Sequence, residues 1–285
     1  MSSLCIKTNN KNILEYLQNE FSCFNMLNTF YSKKEFKNYK NIIIHYTGID
    51  KELFYTKLAT ILSYLVIDYF ETNIIKQILY SNYFYFEESE FNTILKLCEE
   101  NLYDSSEFSL PNRQLLLFDI FYEYISNHHS IVLSGFINFR LSKYKKLIEE
   151  LVDLSVNEFI IEREYLEFIS LLKLYINSQP SSNTIIHVIS FENKILLLDD
   201  TMKKISIDKS SLKAKYLSDV SFSNNDYILN TLLTLLPKKI HLHIISASGN
   251  SEFLNTLQLI FENRIDICYD CNICSMYKKI NIKNN

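Results

Sequence analysis

The spacing of apolar residues changes twice along the chain and divides it into three stretches. Residues 4–7 fit a short strand. Residues 12–24 set Ile13, Leu14, Leu17, Phe21 and Phe24 at helical spacing, and residues 41–46 (Asn-Ile-Ile-Ile-His-Tyr) read as a buried strand closed by Thr47-Gly48. From residue 50 to about residue 179 the pattern is almost wholly helical. Leu53, Phe54, Leu58, Ile61, Leu62 and Leu65 form one wide apolar face, on a helix that can extend to Leu79. Phe91, Ile94, Leu95 and Cys98 mark a second helix. A third starts at Pro111, a favourable first-turn position, and runs through Leu115, Phe118 and Tyr122 to His128. The fourth passes from Phe136 to Leu154, and the fifth carries Tyr165, Phe168, Ile169, Leu172 and Tyr175 and ends before Pro180.

Beyond Gln179-Pro180-Ser181-Ser182 the period shortens. Residues 184–190 and 194–198 predict a hairpin, 226–236 a helix halted by Pro237, 239–246 a strand, 252–261 a short helix and 264–267 a last strand. Strand, helix, strand at this spacing predicts a small parallel unit added to the hairpin. The expected fold class is therefore α+β, mainly α. Residues 1–49 form an N-terminal α/β segment, 50–179 a central helical bundle, 183–277 a C-terminal α/β unit and 278–285 a frayed polar tail.

Composition changes this picture little. The 285 residues are 47% hydrophobic, enough for a sizeable core, and include 20 Phe and 20 Tyr but no Trp. With three Gly, three Pro and four Arg against 25 Lys, the bias fits an A+T-rich coding sequence, so the aromatic excess needs no functional account. A net charge of −4 gives no general drive toward nucleic acid or anionic membranes, and the short lysine pairs are scattered. The first twenty residues lack a secretory signal pattern, and the most apolar stretch, 59–70, is too short to span a bilayer. The expected location is the cytoplasm, where cysteines act as thiols or ligands rather than disulfides.

Three of the six cysteines fall within seven residues: Cys268, Cys271 and Cys274. Two overlapping Cys-x-x-Cys steps turn thiolates toward a common centre, as in zinc sites and iron–sulfur proteins. A structural zinc site needs a fourth donor. His243 is the best candidate, because parallel neighbouring strands would bring it to the same sheet edge as residue 267, although a few residues short of it. Cys98, Cys23 or a cysteine of a second subunit are other candidates, and zinc and iron–sulfur both remain open. His241 shares a strand face with His243.

Other groups read as structural. His128-His129 fit a helix C-terminus. Arg140 and Arg163 stand out among few arginines; Arg140 suits pairing with Glu158 or Glu162, and Gly135 a positive φ or close packing. Glu149, Glu150, Asp153, Glu158, Glu162, Glu164 and Glu167 fit a solvated helix face. Asp199-Asp200 fit a turn, with a divalent-ion site as the alternative. No phosphate-cradling glycine loop, nucleophile elbow or zincin helix is present.

Gly135-Phe-Ile-Asn-Phe-Arg140-Leu, Asn157-Glu-Phe-Ile-Ile-Glu-Arg-Glu-Tyr165, Pro237-Lys-Lys-Ile-His-Leu-His243 and the run from Phe261 to Cys274 occur in this order. Over residues 110–275 the chain resembles the YtxC-like family of sporulation proteins from spore-forming Firmicutes. The resemblance implies a cytoplasmic, sporulation-associated protein and carries over no catalytic residue. The expected function is a non-enzymatic interaction protein with a cysteine-ligated metal, acting through protein partners or self-association. Alternatives are an iron–sulfur or thiol-based redox sensor or enzyme, and a metal-dependent hydrolase built on Asp199, Asp200 and His243.

Overall fold

The structure, a computed structural model, describes residues 2–35, 40–104, 108–192, 194–206, 223–245 and 250–284. The chain is α+β and mainly α, and divides into two compact units, Met1–Ile161 and Glu162–Asn285.

In the N-terminal unit, β1 (Ser2–Thr8), α1 (Lys11–Ser22), β2 (Thr29–Glu35) and β3 (Lys40–Tyr46) are followed by α2 (Lys51–Tyr69), α3 (Glu71–Asn82), α4 (Glu88–Asp104) and α5 (Leu110–Asn127). Then come β4 (Ser130–Val132), α6 (Leu133–Arg140) and the start of α7 (Ser142–Ser178). The sheet order is β2-β3-β1-β4, antiparallel except for the parallel β1/β4 pair. Leu4 and Ile6 of β1 and Ile42 and Ile44 of β3 alternate into a core that also takes Leu58, Leu62, Leu117, Phe121 and Ile148. Burying each such side chain contributes roughly 1.5–3 kcal/mol.

Four expectations change here. The long helix from residue 51 breaks at Phe70, between α2 and α3, which meet at a 50° bend. The break is where Glu71 turns into the core. The fourth and fifth predicted helices are instead one 37-residue helix, α7, because no Gly or Pro interrupts residues 142–178. β2 and β4 were not visible as strands, since β2 is a largely exposed edge and β4 is three residues long. Gly135 has an ordinary φ and a Cβ there would meet nothing within 4 Å, so it meets no steric need. Gly48 does, because a Cβ would strike the Tyr46 ring.

The C-terminal unit continues α7 and adds β5 (Ser182–Phe191), β6 (Lys194–Leu198), α8 (Asn224–Leu235), β7 (Pro237–Ile244), α9 (Ser251–Ile260), β8 (Ile265–Cys268) and α10 (Asn272–Asn284). Its sheet runs β6-β5-β7-β8: the β5/β6 hairpin is antiparallel, and β7 and β8 add in parallel. α8 starts with a reciprocal capping box between Ser223 and Asp226 and ends in Leu236 with a left-handed backbone, just before Pro237. One sheet face, with Ile186, Val188, Ile240 and Leu242, packs against Ile169 and Ile176 of α7, Ile228 and Leu232 of α8, and Leu254 and Leu257 of α9. The opposite face carries His187, His241 and His243 beside Asp266 and Cys268. α10 contacts β7, and its helical span reaches Asn284 where a frayed tail was expected from residue 278.

Among the described residues, no single helix is long and apolar enough to cross a membrane, and α2 with α3 reaches that length only across their bend.

Candidate metal centre

The three cysteines reach one point by local geometry. Cys268 ends β8; Cys271 immediately precedes α10; Cys274 lies one turn inside it. Cys271 takes the position of a helix cap: its sulfur accepts the Cys274 N–H at 3.5 Å, and its carbonyl accepts the Ser275 N–H at 2.9 Å. The fourth donor comes from strand register. β7 and β8 pair so that His243 lies directly opposite Cys268, which removes the gap expected from the sequence. Arg264 holds the start of β8: its guanidinium donates to the Ile176 carbonyl in the last turns of α7 at 2.9 Å, and its own carbonyl accepts the Ile240 N–H at 2.7 Å.

Nδ1 of His243 lies 3.5 Å from Cys271 Sγ and 3.4 Å from Cys274 Sγ. The sulfur of Cys274 is 3.6 Å from that of Cys271 and 3.9 Å from that of Cys268. All four donor atoms fall within 4.8 Å of one another. A tetrahedral zinc with Zn–S of about 2.3 Å and Zn–N of about 2.0–2.1 Å would separate its sulfurs by about 3.8 Å and nitrogen from sulfur by about 3.6 Å. Four of the six donor pairs have these spacings and the other two lie within 4.8 Å, so the cluster can hold a metal ion.

Electrostatics act differently on the four donors. Burial, then the neighbouring His187 and His241, push His243 down to about 4, so its ring is neutral and keeps a lone pair. Burial pushes Cys274 up to about 11, reinforced by its hydrogen bond to Cys271. Burial also raises Cys271, but the Cys274 N–H, the Cys268 and Cys274 thiols and the Ile273 N–H outweigh it and favour its thiolate. Cys271 is therefore the thiol of this pair that deprotonates first, and a metal entering the cluster would displace the proton of Cys274.

A family model, that of the YtxC-like family, matches residues 56–266, most of the chain. The chain belongs to the YtxC-like family. The match begins in α2, earlier than the motifs quoted from the sequence, and ends in β8 just before the cysteine triplet. No curated protein and no solved structure matches.

The remaining candidates in this YtxC-like chain have other positions. Cys98 is buried on α4 and Cys23 is exposed beyond α1; neither joins the cluster. His241 also stays outside it, 3.8 Å from Asp266. Asp199 is spent on a turn: Oδ1 accepts from the backbone N–H of Thr201 and Lys203 and from the Thr201 hydroxyl. His128 caps α5, with Nδ1 3.0 Å from the Tyr124 carbonyl and its ring stacked on Tyr124. Arg140 sits over the Tyr124 ring at 5.9 Å rather than pairing with Glu158, which accepts from Asn101. Arg163 pairs with Glu167 one turn along α7.

Sequence reading missed two groups. His187, on β5, touches His243; only the β5/β7 register could have revealed it. In the N-terminal unit, Arg113 donates to both Glu71 oxygens and, through Nε, to the Phe108 carbonyl at 2.7 Å, while the Tyr144 hydroxyl also donates to Glu71. A lone Glu amid the apolar residues of 58–79 was the available signal.

Proposed function

We propose that this chain is a cytoplasmic, sporulation-associated interaction protein whose C-terminal unit is held by one zinc ion bound to Cys268, Cys271, Cys274 and His243. The four-donor spacing carries the metal part of this reading. An iron–sulfur cluster would suit it less well, because the cysteines of a cubane each bind a different iron and lie farther apart than the sulfurs around a single ion. The site has four protein donors and leaves no position for a substrate, which favours a structural role over catalysis. The sporulation part rests on membership of the YtxC-like family. Exposed apolar side chains on α7, Leu171 at 64% and Leu174 at 67%, suit burial against a protein partner or a second copy.

The deciding experiment is metal and acid-labile sulfide content of protein purified without oxygen, alongside Cys271→Ser. About one zinc per chain without sulfide or colour, lost in the variant, is the expected outcome. Iron with sulfide would transfer the function to redox chemistry, and wild-type protein without metal would end the metal reading.

A further inference from the structure

His187 contacts the cluster from behind. Its Nδ1 lies 3.0 Å from Nε2 of His243, on the side of that ring away from the sulfurs. Strand pairing holds it there: His187 is the register partner of His241. Its ring stacks on both neighbours, with centroids 5.2 Å from His241 and 5.3 Å from His243.

This contact bears on which nitrogen of His243 is free. A neutral imidazole has one N–H and one lone pair. With the proton on Nδ1, facing the sulfurs, the ring can donate to a thiolate but cannot ligate. With the proton on Nε2, Nδ1 offers its lone pair to a metal and Nε2–H needs an acceptor. Nδ1 of His187 stands at hydrogen-bond distance to accept it, leaving the proton of His187 on its own Nε2.

We infer that His187 is a positioning residue of the metal centre: it accepts the Nε2–H of His243 and so selects the tautomer whose Nδ1 binds the metal. The inference rests on reading the cluster as a zinc site. Outer partners of metal-binding histidines fix ring orientation and raise ligand basicity, and losing one typically costs about 10- to 100-fold in affinity.

The test uses the full chain and zinc, with affinity measured by competition against a chromophoric chelator. The proteins are wild type, His187→Leu, His187→Asn and Cys271→Ser. Leu removes the acceptor and keeps bulk; Asn returns an oxygen near the position of Nδ1. His187→Leu should weaken zinc binding about 10- to 100-fold, with His187→Asn recovering most of it. Independently of any variant, nitrogen-15 NMR of zinc-loaded wild type should show His243 protonated at Nε2 and bound through Nδ1. Unchanged affinity in His187→Leu, or His243 bound through Nε2, overturns the role of His187 while zinc binding that is sensitive to Cys271→Ser leaves the metal site standing. Wild type without zinc, or Cys271→Ser binding as tightly, overturns both.

Discussion

Each unit buries a polar cluster, and the two clusters are satisfied in different ways. In the N-terminal unit, Arg113 and Glu71 are 2% and 6% exposed, and Tyr144 completes a set in which a cation, an anion and a hydroxyl answer one another. In the C-terminal unit, Cys274 and His243 are as deeply buried, yet the cluster holds only groups that give up protons and offer lone pairs. The first is closed without a ligand. The second has donors for a cation and no cation of its own among them. A buried polar group is thus no sign of a binding site by itself; what points to a ligand is a set of lone-pair donors with no cation among them to answer.

The sharpest break of this comparison is Arg113→Met. It strands a buried carboxylate and should destabilise the N-terminal unit by about 3–5 kcal/mol. Hydrogen exchange should show α2, α3 and α5 losing protection while β7 and β8 keep theirs. Adding Glu71→Gln should recover much of the loss, because the remaining pair is then neutral. Equal loss in both units would end the claim that the first cluster serves its own unit.

Zinc removal should do the reverse. With free zinc at 100 times the dissociation constant, bound metal contributes about 2.7 kcal/mol, and a chelator should withdraw it from β7, β8 and α10 alone. Loss of protection in α2 or α5 on chelation would contradict this division.

A smaller effect follows from His243 in stripped protein. Its folded value of about 4 lies below the ordinary 6.5, so between them the unfolded chain binds more protons. The contribution is fully present above about 6.5 and is lost as pH falls through that window toward about 4. Urea melts of chelated protein across the window should show falling stability, and a flat response would mean that His243 is not held neutral. Smallest is a labelling contrast. Burial pushes Cys98 up to about 11, so near neutral pH iodoacetamide should modify the exposed Cys23 and spare Cys98. Mass spectrometry finding Cys98 alkylated in folded protein would show that α4 opens.

How much could be read in advance depended on distance along the chain. Helical periodicity located α1, α5 and α9, two short apolar runs separated by Phe191-Glu192-Asn193 located the β5/β6 hairpin, and Pro237 marked the end of α8. The sequence predicts two helices over residues 136–179, yet α7 runs unbroken through Ser142–Ser178, with no Gly or Pro to stop it. At the candidate site the thiol spacing was legible because Cys268, Cys271 and Cys274 reach one another through a strand end and one helical turn.

What the sequence alone determined, then, was the local part: the α+β class, most elements and the triplet. Tertiary structure decided the rest. It set His243 opposite Cys268 and placed His187, 56 residues earlier, behind it. It also joined Arg113 to Glu71 across 42 residues. The physical reason is that a helix or a Cys-x-x-Cys step is fixed by neighbouring dihedral angles. Strand register and helix packing are instead fixed by which apolar faces are buried together, and a shift of one residue in β8 would have turned Cys268 to the opposite face.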